Sequence, residues 1–403
     1  MKDGARKPYL VDLGIDTALG SGKTANLEGI LSGRGAELSR EEIGDASFSI
    51  ARCASSRARS SSLAPEYAHR VNALLDAVAS QVEEPVAEAR RRYGRGRVAV
   101  LLGSTDNGSE ESLAAARGLL STGRFPAGYS LAEQSADLAP RFLARRLELS
   151  GPAMAVSTAC ASAATAIARA RDLIACGLCD AAVAGGADIV SDSVALGFLA
   201  LEAVSSERCQ PFSRNRRGIT LGEGAAIFLL CRDDLGGEGV RLLGIGEACD
   251  AHHLTAPDPE GEGASAAMSM ALRDASLESA GIDYLNLHGT GTELNDAMES
   301  KAVARVFGAG GVPASSTKGA VGHTLGAAGA VELGFCWLAL SSLNRRRLLP
   351  PQVWDGEADG SLPRLDLVGP GRTADRLRSC MSVSFAFGGV DAAAIIGREG
   401  GAS

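Results

Sequence analysis

AMAVSTACASAATAIARARDLIACG, residues 153–177, decides the fold. It reads as a strand, AMAVSTAC, running straight into a helix that Gly177 ends. At the junction a cysteine, Cys160, lies in a bed of Ala, Ser and Thr. A packing cysteine would have larger apolar neighbours, and a metal ligand would have a second Cys or His at short spacing. A nucleophile needs backbone close by and room for a substrate, which small neighbours provide.

Working outward, RVAVLLGS (97–104) and DAAVAGGAD (180–188) read as buried strands. Residues 8–31 give a short strand, a turn and a helix; 33–65 are irregular; a helix is expected over 65–93, kinked at Pro85. The second half repeats the order. VRLLGIGEA is a strand, EGASAAMSMALRDASLESAG a helix, IDYLNLHGTGT a strand and loop, and NDAMESKAVARVFG a helix. PASSTKGAVGH then feeds LGAAGAVELGFCWLALSSLN, again a small-residue turn opening a long helix, and CMSVSFAFGG with VDAAAIIG closes the chain as a hairpin-like pair. Strands alternating with helices imply α/β layers. The shared pattern suggests an internal duplication, with one half over 1–239 carrying the cysteine and the other over 240–403, joined in one compact body.

Composition removes several function classes. Apolar residues at 45% indicate a globular chain. Aromatics at 4% and a net charge of −8 argue against a nucleic-acid partner. The start, MKDGARKPYLVDLGID, does not read as a signal peptide, and no stretch approaches a membrane span, so a cytoplasmic protein with reduced cysteines is expected. LGSGKTAN (19–26) lacks the first glycine of a phosphate loop, because Thr17 stands there, and reads as a turn entering a helix. CGLC (176–179) follows a helix instead of opening one, which fits two packing cysteines. His252 and His253 read as turn or pocket-lining residues; no metal and no cofactor are expected.

Of five histidines, His288 (NLHGTGT) and His323 (STKGAVGHTLGAAGA) lie in glycine-rich turns after apolar strands. Open α/β sheets bind ligands beyond the carboxyl ends of strands. Cys160 has the same placement, so three reactive side chains are expected to converge. A helix beginning at Cys160 would lower its thiol pKa. Two histidines can donate to a second carbonyl and stabilise a developing enolate. One cysteine with two histidines suits carbon–carbon bond formation better than peptide hydrolysis.

STACASAATA, QPFSRNRRGITLGEGAAIFLL, NLHGTGTELNDAMESKA, STKGAVGHTLGAAGAVE and SVSFAFGG resemble, in order and spacing, the signature blocks of β-ketoacyl-acyl-carrier-protein synthases of the elongating Cys-His-His class. The resemblance covers nearly the whole chain. It implies a thiolase-like five-layer αβαβα sandwich of two duplicated halves, usually dimeric. It implies that Cys160 takes an acyl chain from its carrier protein, and that His288 and His323 hold the malonyl thioester of a second carrier while CO₂ leaves. The oxyanion hole maps to the N–H groups of Cys160 and Phe387, with Phe387 near the malonyl entrance. Lys318, five residues before His323, and Glu299, eleven after His288, resemble the family's buried Lys–Glu pair, with Asp296 supporting the same network.

Asp391 stands where the family usually has Asn, turning a donor into an acceptor. HGTGTELND with GHTLGAAGAVE is more similar to synthases of aryl-polyene clusters than to housekeeping ones. A thiolase would place a second catalytic cysteine in the SFAFGG loop, and initiating synthases have Asn at His323. The other reading is a chain-length-determining or scaffold subunit of a synthase heterodimer, which typically lacks the cysteine. Expected partners are acyl carrier protein and a second synthase-like chain, as a homodimer or a heterodimer. Arg52, Arg57 and Arg59, or Arg214, Arg216 and Arg217, are candidate docking clusters for an acidic carrier.

Overall fold

A computed structural model describes residues 7–57, 63–106, 108–308 and 311–398. Ten strands carry the architecture. The first sheet holds β1 (Tyr9–Thr17), β2 (Val98–Gly103), β3 (Ala153–Val156), β4 (Ala181–Asp188) and β5 (Gly224–Cys231). The second holds β6 (Val240–Cys249), β7 (Tyr284–Asn286), β8 (Pro313–Ser315), β9 (Ser379–Phe385) and β10 (Val390–Arg398). Their orders are β1-β5-β4-β2-β3 and β6-β10-β9-β7-β8, and the Tyr9–Arg241 pairing joins them at β1 and β6. The two orders correspond strand for strand if the C-terminal hairpin is matched to β5 and β4.

Helices fill three layers. On the outer face of the first sheet lie α1 (Arg70–Gln81), α2 (Glu83–Tyr93) and α3 (Leu138–Arg146). Between the sheets runs α4 (Ser162–Ala175), which touches β2 and β4 on one side and β10 on the other. After β4, α5 (Asp192–Ala200) projects toward the cavity described below. On the second sheet's outer face lie α6 (Glu262–Ala275) and, packed on it, α7 (Glu293–Phe307). Helix α8 (Ala328–Leu340) is buried along its whole length beside α4, touching both sheets. The layers are therefore helix, sheet, helix, sheet, helix, as the resemblance implied.

The small residues around Cys160 have a packing cause. A Cβ on Gly103 of β2 would fall 2.2 Å from the Ala163 backbone nitrogen, and one on Gly329 of α8 would fall 2.9 Å from the Ala164 Cβ. The two central helices thus approach the sheets and each other at backbone distance, which larger side chains would prevent.

Four details differ from the sequence expectation. Residues 33–65, expected to be irregular, carry a hairpin of two antiparallel strands, Ser39–Ile43 and Ala46–Ala51. The helix over 65–93 is two helices that break at Val82 (φ −115°), while Pro85 sits in the first turn of α2. That turn has no intrahelical acceptor for its N–H groups, so proline costs little there. The strand before Cys160 stops at Val156, and the chain turns at Ala159 (φ 47°) before α4 begins at Ser162. His323 does not end a strand: a helical turn, Lys318–Val321, separates it from β8, and its backbone pairs with Thr220 and Gly222. The Gly20–Ser21 segment turns into the helix Lys23–Leu31 as read. No helix among the described residues is long and apolar enough to cross a membrane.

Candidate active site

Cys160, His288 and His323 meet: one side-chain ligand atom from each lies within 4.8 Å of the others. His323 Nε2 is 3.2 Å from Cys160 Sγ, and the two imidazole rings stand at 85° with centroids 5.3 Å apart. All three line one cavity of about 670 Å³. Phe387, 37% exposed, lines it too, with its ring 6.0 Å from that of Phe198 on α5. Its backbone N–H points to the Cys160 sulfur.

The protons on the rings follow from their partners. Leu325 N–H donates to His323 Nδ1 at 3.3 Å, so the proton of the neutral ring sits on Nε2. Lys318 Nζ lies 3.2 Å from His288 Nδ1 and, as a donor without acceptor capacity, fixes the same tautomer there. Burial and the Lys318 ammonium hold both imidazoles well below their usual pKa, and His323 adds to the effect on His288. The site therefore presents two neutral imidazoles as Nε2–H donors.

The expected low thiol pKa is corrected. Burial pushes Cys160 up to about 11, against the pull of Lys318 and the Phe387 N–H. Cys160 stands two residues ahead of α4 and is only 8% exposed, so loss of water outweighs the helix terminus. The resting group is a thiol.

The expected Lys318–Glu299 pairing is also corrected. Lys318 pairs with Glu332 of α8 and reaches the His288 carbonyl oxygen. Burial raises the Glu332 carboxyl to about 7 against that ammonium. Glu299 works on the backbone instead, accepting the N–H groups of His288 and Gly289 at 2.7 Å each and one from the Asn295 amide. Asp296 holds the next stretch, accepting from Thr290, Gly291 and Phe212 N–H. Both are fully buried, which lifts Glu299 to about 8 and Asp296 to about 6.

Two further acids, neither marked by the sequence motifs, support the site. Glu332 is the only charge in the thirteen residues of α8, and a lone charge in an apolar helix marks a buried partnered group. Asp188 ends β4 and accepts from Ser104, Thr105, Asp106 and Gly326, tying the loop after β2 to the turn after His323. Burial raises it to about 6.

His253 lines the cavity mouth, as read, while Cys176 and Cys179 are unpaired, one exposed and one buried. Of the arginines, Arg52 is not a docking group: it is clamped between Glu41 and Glu223. Arg57 is exposed, and Arg59 lies outside the described residues. Arg214, Arg216 and Arg217 all line the mouth; Arg214 pairs with Glu357 and the nearly buried Arg216 with Asp359.

A buried cysteine facing two N–H-donating imidazoles, between two halves of a five-layer sandwich, defines the class of thiolase-like condensing enzymes. Residues 53–235 match the N-terminal domain of beta-ketoacyl synthase and residues 240–353 its C-terminal domain. The chain belongs to the beta-ketoacyl synthase family. It is 40% identical over 256 residues to nodulation protein E of Rhizobium meliloti, a match spanning 61% of this chain and 62% of that protein, less than two thirds of its length. It is 37% identical over 303 residues to 3-oxoacyl-[acyl-carrier-protein] synthase 2 of Rhizobium meliloti (strain 1021), covering 68% and 70% of the two chains. Among solved structures, the ketosynthase ApeO in complex with its chain length factor ApeC, from Xenorhabdus doucetiae, superposes with a TM-score of 0.87 at 37% identity over 99% of this chain and 100% of that one.

Proposed function

We propose that this protein is a β-ketoacyl-acyl-carrier-protein synthase that elongates an acyl chain by decarboxylative condensation. The observation that carries the reading is the pair of imidazoles, His288 and His323, fixed as neutral Nε2–H donors beside Cys160 Sγ. In the first step the Cys160 sulfur attacks the thioester of an acyl-carrier protein; the acyl group moves to Cys160, and the carrier thiol leaves with the proton. In the second, malonyl-carrier protein binds with its thioester carbonyl at His288 and His323 Nε2–H. Its carboxylate leaves as CO₂, and the electron pair forms an enolate held by the two donors. Neutral donors suit an oxygen that carries negative charge only while the reaction is under way. The enolate carbon attacks the Cys160 thioester, the Phe387 N–H receives the oxyanion, and the Cys160 thiolate departs and regains a proton. Lys318, Glu332, Glu299 and Asp296 set the His288 ring and its loop and need not touch substrate.

The partners in this reading are acyl- and malonyl-loaded carrier protein and a second synthase-like chain. A dimer is supported by β3, a four-residue strand at the end of the first sheet with Met154 and Ala155 exposed, an edge suited to pairing across chains. A chain-length subunit as that partner is supported by the likeness to ApeO, solved with such a partner, and an aryl-polyene type of product by the HGTGTELND and GHTLGAAGAVE blocks. We place the boundary between the halves at 239/240, where β6 begins, and the protein in the cytoplasm, in keeping with nine cysteines that form no disulfide.

Intact-protein mass spectrometry after incubation with a panel of acyl-carrier proteins tests the reading. A gain equal to the acyl group, absent in Cys160→Ala, is expected. No gain with any donor, alone or with a chain-length subunit present, would leave only the scaffold reading.

A further inference from the structure

Asp391, the residue that departs from the family pattern, lies under the loop that carries Phe387. It pairs with Phe385 of β9 on one side and Ala248 of β6 on the other, just after the Gly388–Gly389 turn. It is 3% exposed and borders the cavity that holds Cys160, and among the described residues neither a hydrogen-bond donor nor a cation bears on it. What faces it is acidic: Asp250 and Asp258, on the segment between β6 and α6. A Cβ on Gly263 would fall 2.2 Å from Asp391 Oδ2 and 3.0 Å from Asp250 Cβ, so the two acids meet over that glycine in the first turn of α6.

The other two acids already have donors. Asp250 accepts from the N–H groups of His252 and Asp258, and Asp258 from those of Glu260 and Glu262. His252 and Arg305 act on Asp258; Glu247 of β6 is tied to Arg169; the facing end of β9, Ser384 and Phe385, carries no charge. Burial and these two neighbours raise Asp391 to about 7. Two backbone bonds cross the same seam: Asp250 N–H to Gly389 O at 3.0 Å and Gly388 N–H to Leu254 O at 2.8 Å. They hold the segment that aims the Phe387 N–H at Cys160.

We propose that Asp391 is a positioning residue that acts through the Phe387 loop. Protonated, it lets residues 386–389 lie closed on residues 250–258; ionised, it sets a third negative charge in the seam and loosens the loop over Cys160. The protonated carboxyl is also a donor, which its neighbours, both acceptors, can take up. The sign follows from linkage. A carboxyl whose pKa is higher in the closed loop than in the open one, where an exposed Asp titrates near about 3.9, favours closure at low pH, and that preference is lost as pH rises to about 7. Between pH 6 and pH 8 the closed-to-open ratio should fall about tenfold. The consequence for catalysis rests on the condensing-enzyme reading; the loop movement does not.

Amide hydrogen exchange on the substrate-free protein, corrected for intrinsic rates, tests this at the Asp250 and Gly388 amides. Protection should drop about tenfold from pH 6 to pH 8 in the wild type. It should stay level in Asp391→Asn, which keeps the shape and loses the charge, and the drop should shrink in Asp250→Asn. Equal protection at both pH values in the wild type, or the same drop in Asp391→Asn, overturns the proposal. The rate of Cys160 acylation in wild type relative to Asp391→Asn should change over the same pH range, and an unchanged ratio removes the link to catalysis. If exchange behaves as expected but no carrier acylates Cys160 at any pH, the switch stands and the condensing-enzyme reading falls.

Discussion

Two sets of buried carboxyl groups flank the cavity, and they differ in what they hold. Glu299 and Asp296 lie beneath the His288 loop, and between them they accept five backbone N–H groups. Asp391 lies beneath the Phe387 loop, and no donor among the described residues reaches it. Burial raises all three, yet only the first two return the cost as backbone bonds, which makes them clamps. The difference matches the tasks in the proposed reaction: there the His288 ring must stay where its proton points at a carbonyl, while the Phe387 loop, at the same cavity, must let acyl chains in.

The strongest way to break the rigid side is at Lys318. Lys318→Met removes the ammonium from Glu332 and from His288 Nδ1, leaving a buried acid unpaired. A stability loss of about 3–5 kcal/mol is expected by chemical denaturation. Lys318→Met with Glu332→Leu should recover most of that loss but not the condensation rate, because His288 Nδ1 still lacks its donor. Recovery of both would show that the pair serves folding alone. On the donor-free side the expected effect is smaller and opposite. A raised pKa means the folded state holds the Asp391 proton that the unfolded chain has released, so Asp391 erodes stability as pH climbs from about 4 to about 7. Asp391→Asn removes this erosion, so its stability relative to wild type should improve by about 2–3 kcal/mol between pH 5 and pH 8. Parallel curves for the two proteins would refute the difference between the two sets of acids.

How much of this was legible in the sequence depended on what kind of fact was asked for. The layers could be read because strands and helices alternate with clear turns, and because AMAVSTAC and PASSTKGAVGH repeat one pattern. The meeting of Cys160 with the two histidines could be read from residue type, since few histidines exist and two sit in glycine-rich turns. Partner choice could not. Glu299 and Glu332 are both acids within reach of Lys318 along the motifs, and which one pairs is decided by the approach of α8, a tertiary fact. The thiol pKa is hidden for the same reason: a helix start is visible in sequence, but the burial that opposes it is not. Arg52 looked like one of three surface cations, and only the fold puts Glu41 and Glu223 on either side of it.

That last contrast, an ion-paired, mostly buried arginine against an exposed one, gives the smallest and most discriminating test. Arg52 is spent inside the protein, so changing it should perturb folding and say nothing of docking. Arg217 is exposed at the cavity mouth beside Arg214 and Arg216, which are paired to Glu357 and Asp359. An exposed charge contributes little to stability but steers an oppositely charged partner. Arg217→Glu should therefore leave the melting temperature within about a degree or two, since an exposed substitution typically shifts stability by less than about 0.5 kcal/mol. It should raise KM for malonyl-carrier protein by about three- to tenfold, the effect of losing a rim charge and gaining a repulsive one, and more so at low salt than at high. KM for a small malonyl thioester without the carrier should not move. Equal loss on both substrates would place Arg217 inside the reaction cavity's own chemistry, and no loss on either would move the docking surface to the Arg57 side of the molecule.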